Sequence, residues 1–324
     1  MRVKIAAALA AGALCIVTWA RGEDYPSKPI RLIVPYAPGG GVDLLGRSII
    51  TRLSERIGQP MVYDNRGGAG ATIGTALAAK ATPDGYTLLF SLNALTIAAS
   101  IYPDLPYDPL KDLAPITQFL ASSSVLVVNP ALPAKSVRDL VALAKEKPGE
   151  LNYGSQGVGT SAHMAMELFK RATGVDIVHI PYKGGGPASN ALFAGEVKVM
   201  FLASSFGAPI IRAGKVFPLA VSTARRLDIL PDVPTLYEAG VPGAERNQYS
   251  GWWGLLAPAR TPKRIIDQLY RSAAAVVAMP EITQLLESRG LHPVGSTPEA
   301  FGTMLREDYE RWKQVAKQAH IRAR

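Results

Sequence analysis

Three stretches of the chain place glycines where a strand gives way to a helix, a setting in which backbone N–H groups can hold an anion. The first is Pro35-Tyr36-Ala37-Pro38-Gly39-Gly40-Gly41, with Val42-Asp43 opening a helix. The second is Gly154-Ser155-Gln156-Gly157-Val158-Gly159-Thr160-Ser161, and the third is Tyr182-Lys183-Gly184-Gly185-Gly186-Pro187-Ala188. Glycine lets the backbone approach a ligand closely, and the first turn of a helix adds unpaired N–H donors and partial positive charge. Tight turns needed only for packing explain any one of these loops. They explain the set less well, because ligands of open α/β sheets sit at the carboxyl ends of strands, where all three loops fall.

Other chemistries fail on spacing. Gly157-Val158-Gly159-Thr160-Ser161-Ala162 fits the dinucleotide fingerprint, but the acid at the right distance, Asp176, begins its strand instead of ending it. No phosphate-binding G-x-x-x-x-G-K-[ST] occurs. Ser155 lies in a glycine-rich turn that misses G-x-S-x-G by one place, so an exported hydrolase using Ser155 with His163 or His179 is the enzyme alternative, without an assigned acid. His163 and Glu167 stand four apart on one helix, which is too few ligands for a metal. His179, His292 and His320 have no carboxylate or cysteine cluster beside them, and Met164 and Met166 read as helix packing. Trp252-Trp253 is different: adjacent residues of a strand face opposite ways, so one ring can line a cleft while the other packs, although both can also belong to the core.

The elements that must carry these loops alternate. Ile30 to Val34, Tyr86 to Phe90, Val125 to Val128, Ile177 to Ile180 and Val197 to Phe201 read as strands buried on both faces, which predicts parallel, doubly wound sheets. Val42, Leu45, Ile49, Leu53 and Ile57, and likewise Ala165, Leu168, Phe169 and Ala172, recur at helical spacing. After Pro258 the chain turns helical, with starts at Thr261-Pro262, Pro280-Glu281 and a capping-box pattern at Ser296-Thr297-Pro298-Glu299. Such a tail packs back on an earlier lobe. The chain is therefore expected to cross to a second lobe near residue 124 and return near 248, giving lobe 1 as 23–124 plus 248–324 and lobe 2 as 125–247.

Residues 1–22 have the layout of an export signal: Arg2 and Lys4, an apolar run from Ile5 to Trp19, and Ala20 and Gly22 for cleavage. The one cysteine, Cys15, lies within it, so the processed chain has no disulfide, thiol nucleophile or thiolate metal ligand. Net charge is +9 and falls to +6 without Arg2, Lys4 and Arg21. The cations are scattered, which speaks against nucleic acid and for weak steering of small anions. With no further segment apolar enough to span a bilayer, the expected location is the periplasm, with signal cleaved.

Motifs along nearly the whole processed chain carry a resemblance. Tyr25-Pro26-Ser27-Lys28-Pro29-Ile30-Arg31, the loop 35–41 with Asp43, Pro83-Asp84-Gly85-Tyr86-Thr87-Leu88 and Leu105-Pro106-Tyr107-Asp108-Pro109 come first. Leu151-Asn152-Tyr153, Gly157 to Thr160, Pro181-Tyr182-Lys183-Gly184, Leu230-Pro231-Asp232-Val233-Pro234-Thr235 and Gly254-Leu255-Leu256-Ala257-Pro258 follow in order. The sequence closely resembles the tripartite tricarboxylate transporter substrate-binding family, the Bug proteins. The resemblance implies a monomeric, two-lobed α/β periplasmic binding protein of the type II kind, each lobe a mainly parallel sheet flanked by helices, with the cleft between lobes. It implies a small carboxylate held by loop backbone and ordered water, no cofactor, no covalent chemistry, and membrane transporter subunits or a sensor as partner.

Carried onto this chain, the contacts fall on Tyr36, Ala37, Pro38, Gly39, Gly40, Gly41 and Asp43, and on Ser155, Gln156, Gly159, Thr160, Ser161 and His163. Tyr182, Gly184, Gly186, Pro187 and Ala188 form a third group, with Ser91, Asn93 and Ser204 at other strand ends. One departure matters. Many relatives have an acid shortly after the strand matching Val197 to Phe201, where this chain has Leu202-Ala203-Ser204-Ser205-Phe206. Without a partner for a ligand ammonium, a dicarboxylate or aromatic carboxylate is favoured over an amino acid.

Overall fold

The computed structural model describes residues 25–36, 38, 41–246 and 251–322. The segment expected to be an export signal, with Cys15, and also Ala37, Gly39, Gly40 and the expected return near 248 lie outside the described residues. The first lobe is a six-stranded sheet in the order β11-β4-β10-β3-β1-β2. Its strands are β1 (Ile30–Val34), β2 (Met61–Asn65), β3 (Thr87–Leu92), β4 (Leu113–Ser122), β10 (Gly251–Pro258) and β11 (His292–Pro293). The second is a five-stranded sheet in the order β7-β6-β8-β5-β9. It contains β5 (Ser124–Val128), β6 (Asn152–Ser155), β7 (Val178–Pro181), β8 (Val199–Ala203) and β9 (Phe217–Val221). Only Ser123 separates β4 from β5, so one extended segment passes from sheet to sheet.

Both sheets are mixed instead of mainly parallel. β1 pairs in parallel with β2 and β3, and β6 with β7 and β8, whereas β10 is antiparallel to β3 and β4, and β5 to β8 and β9. The reason is the crossing itself. Strands that bring loops to the face between the lobes run toward that face, while β5 and β10 start there and must run away from it.

The apolar strands are covered on both sides. Leu32 and Leu88 pack toward α1 (Gly41–Ile57) and α8 (Lys263–Val277), and their neighbours Ile33 and Leu89 pack into the opposite cluster. β7 departs from expectation: it starts at Val178 and is partly exposed, because it is the edge strand, where Pro181 can be accommodated. α9 (Pro280–Glu287) and α10 (Pro298–Gln318) begin where their prolines predict, and the Thr297 hydroxyl accepts the Ala300 N–H at 3.2 Å. Glu299 sits one place short of the reciprocal capping-box position.

α10 does more than pack back on the first lobe. Its Phe301 and Leu305 lie against Ile33, Leu256 and Trp252, but Trp312, Val315 and Ala316 belong to a core shared with Leu126, Tyr153 and Phe169 of the second lobe. Asp308 between them is 1% exposed. Its carboxylate accepts from the Thr96 hydroxyl at 2.5 Å, from Trp252 Nε1 at 2.8 Å, and from Arg311. It thereby ties α3 (Ala94–Ile101), β10 and α10 together.

Candidate ligand site

Three helices begin at one cavity between the lobes. They are α3 from the first lobe, and α5 (Ser161–Thr173) and α7 (Ser204–Arg212) from the second. The residues at their N-caps, Asn93, Thr160 and Ala203, make no side-chain capping hydrogen bond. Thr160 turns its hydroxyl to Gly157 O at 2.8 Å. No side chain caps the leading N–H groups of these helices, although Ser204 N at the start of α7 bonds Ser123 O at 3.0 Å, and Asn93, Thr160, Ser161, Ala203 and Ser205 all line a cavity of about 550 Å³. Ser122, Ser123 and Ser124 of the crossover add hydroxyls, while Leu45, Leu92, Phe201, Phe206, Trp253 and Trp312 supply apolar wall.

A second compartment of about 690 Å³ adjoins the first, sharing Leu92, Asn93, Thr160 and Ser161. Tyr36, Pro38, Ile101, Tyr102, Val158 and Gly159 line it, together with the turn Gly67–Ala71. In that turn Ala69 and Ala71 adopt left-handed φ values of 45° and 78°, a strain that non-glycine residues carry mostly at functional sites. Tyr36 Oη is buried without a hydrogen bond, and burial pushes its pKa up. Between the compartments the lobes touch: Ser161 Oγ donates to Asn93 Oδ1 at 3.2 Å.

Residues 45–321 match the sequence model of the tripartite tricarboxylate transporter family receptor. The chain belongs to that receptor family. Protein BugT of Bordetella pertussis is 36% identical over 298 residues, covering 91% of this chain and 90% of BugT. Among solved structures, the R. palustris protein with adipate is 36% identical with a TM-score of 0.80, covering 92% of this chain and 99% of that one. MatC from Rhodopseudomonas palustris with bound malate is 29% identical with a TM-score of 0.76, covering 90% and 99%. The periplasmic binding protein BugD is 30% identical with a TM-score of 0.77, covering 93% of this chain and 100% of that one. No helix of the described residues is long and apolar enough to cross a membrane.

Within this receptor fold, Tyr36, Pro38, Asn93, Gln156, Gly159, Thr160 and Ser161 come together at the two compartments. Gly41 opens α1. Asp43 is buried and paired with Arg47 at 3.0 Å; Asn65 Nδ2 bonds both Asp43 Oδ1 and Tyr36 O, so the acid braces the first loop. Ser91 and Ser204 are fully buried and line neither compartment. Tyr182, Gly184, Gly186, Pro187 and Ala188 also lie outside both. Their loop instead supports the second one, through Tyr182 N to Ser155 O at 3.0 Å and Gly184 N to Gln156 O at 3.2 Å. The crossover serines, Arg289, Trp312 and the 67–71 turn were not singled out from sequence, whereas Phe206, named there for its apolar character, does line the first compartment. Only that turn, Gly67-Gly68-Ala69-Gly70, carried the same glycine signal as the other loops.

Ser155 does meet a histidine, His179 Nε2 at 2.7 Å, yet its side chain is fully buried and lines neither compartment. Its oxygen accepts Gly157 N–H at 3.1 Å. The His179 ring stacks with both His163, with centroids 4.0 Å apart, and Tyr153, at 4.7 Å. Glu167 is engaged by the Tyr153 hydroxyl and Lys170, not by either histidine. This geometry fits a prop under the second loop: His163 Nδ1 accepts Gly159 N–H at 3.0 Å, which requires an unprotonated Nδ1.

Burial, with Lys170 nearby, pushes the His163 pKa down to about 4 from 6.5; burial, then His163, does the same for His179. A base whose folded pKa is depressed gives stability that is complete above 6.5 and is lost as pH falls from 6.5 toward 4. For His163 alone, the fall from pH 7 to pH 5 is expected to cost on the order of 2 kcal/mol, read as a lower urea midpoint. His163→Gln should flatten that slope; an unchanged slope in the variant would show that the pH dependence arises elsewhere.

Proposed function

We propose that this chain is an exported periplasmic receptor that encloses a small carboxylate and delivers it to the membrane subunits of a tripartite tricarboxylate-type transporter. The observation that carries the reading is the convergence of three helix N-termini without side-chain caps on one interlobe cavity, with no acidic side chain among its described lining residues. Such donors favour an anion, and exclusion of water strengthens each bond. Relatives solved with adipate and with malate support the ligand class.

In this reading the lobes are residues 23–124 plus 248–324 and residues 125–247, and Ser122 to Ser124 form one crossover of the hinge. The ligand is an unaminated dicarboxylate or aromatic carboxylate. The segment Ala203-Ser204-Ser205-Phe206 offers a ligand ammonium no carboxylate, and Phe206 adds apolar wall. A thermal-shift screen over adipate, malate, benzoate, aspartate and glutamate tests this. A bound carboxylate at 100 times its Kd adds about 2.7 kcal/mol and raises Tm. Preference for aspartate or glutamate would overturn the ligand assignment, and no shift with any carboxylate would overturn the receptor reading.

A further inference from the structure

We propose that Arg289 is the specificity-determining residue of this site, taking the distal carboxylate of a dicarboxylate whose proximal carboxylate lies at the N-terminus of α5. The inference rests on the carboxylate reading given above and deepens it.

Among the described residues lining the 550 Å³ cavity, Arg289 carries the one charged side chain; the others are hydroxyl, amide, glycine or apolar. Some other arginines are engaged by acids, Arg47 by Asp43, Arg226 by Glu238 and Arg31 by Asp64. The Arg289 side chain is exposed and has no ion pair or hydrogen bond within the described residues. A guanidinium facing a cavity that holds no acid is a charge without a counter-ion, and its planar fork matches a carboxylate in a bidentate pair.

The backbone beneath it is fixed by both lobes. Arg289 N bonds Leu286 O at 3.0 Å, and Gly290 N bonds Glu287 O at 2.8 Å. The Ser123 hydroxyl of the crossover donates to Gly290 O. Gly290 has φ +68°, and a Cβ there would stand 2.4 Å from Ile229 Cδ1 of the second lobe. The turn that carries Arg289 thus belongs to the first lobe but sits where crossover and second lobe meet. α5 belongs to the second lobe, so a ligand held at both ends joins the two lobes. A monocarboxylate engages only α5 and leaves the arginine unpaired.

The experiment is calorimetric titration of the wild-type receptor, Arg289→Gln and Arg289→Lys with matched pairs: succinate and butyrate, adipate and hexanoate, terephthalate and benzoate. The expected result is a wild-type preference for the diacid of the pair that binds. Arg289→Gln should weaken the diacid by about 10- to 100-fold, the scale of a charge-assisted bond, and leave its monoacid unchanged. Arg289→Lys should recover part of the loss. Equal loss for both members of the pair, or no loss for the diacid, overturns the proposal while the receptor reading stands. Wild type that binds neither member of any pair defeats the carboxylate reading and this proposal with it. Unfolding midpoints of the variants should equal that of wild type, since the side chain is exposed.

Discussion

Gly159→Ala is expected to cost roughly 1–2 kcal/mol of stability, the penalty of a left-handed conformation for a residue with a Cβ, and in addition to weaken ligand binding through a clash across the lobes. Gly159 has φ +76°, and an added Cβ would lie 2.2 Å from Ile101 Cδ1. The two residues stand on different lobes, so the clash acts between the lobes and not within one. It pushes α3 and the loop before α5 apart at the place where Ser161 meets Asn93. Paired with Ile101→Ala, the substitution should regain the part of the loss that comes from the clash and keep the part that comes from the backbone. Calorimetric affinities for the best carboxylate, with unfolding curves as a control on the fold, check this; an undiminished affinity in Gly159→Ala would contradict it.

Asp308→Ala should cost about 3–5 kcal/mol of stability, the range found when one partner of a buried charge network is removed. The loss leaves Trp252 Nε1 without its acceptor, weakens the hold on Thr96, and strands Arg311, whose Nε already has no partner. Combining Asp308→Ala with Trp252→Phe should cost less than the sum of the two single changes, because the second removes a donor the first has orphaned. Urea denaturation gives both numbers. Full additivity would mean that the carboxylate does not hold the indole in solution.

Much of this architecture could be read from local pattern. The apolar runs at Ile30 to Val34 and Val125 to Val128 became central strands, and the 154–161 loop leads into α5 at the cavity because glycine spacing and helix start coincide there. The split of the tandem tryptophans also followed from strand alternation. Trp252 packs edge-on against Phe301, while Trp253 meets Phe90 and lines the cavity. What local pattern could not convey is approach between distant segments. Nothing in Glu287-Ser288-Arg289-Gly290 distinguishes it from an ordinary helix end, and the third glycine loop looks as competent as the second until its neighbours are in place. The mixed strand directions likewise depend on where the chain crosses. That α10 joins both cores follows from its length of 21 residues and from where its two ends pack, and its periodicity reports only that one face is apolar.

Trp253 and Trp312 both face the compartment, and of the four tryptophans in the chain Trp19 lies in the segment expected to be an export signal and Trp252 is sequestered beneath Phe301. Indole emission responds to the polarity around the ring. On the proposed function the protein carries its own optical gauge of occupancy, two rings that line the cavity, so that filling and emptying can be followed in real time without any added label.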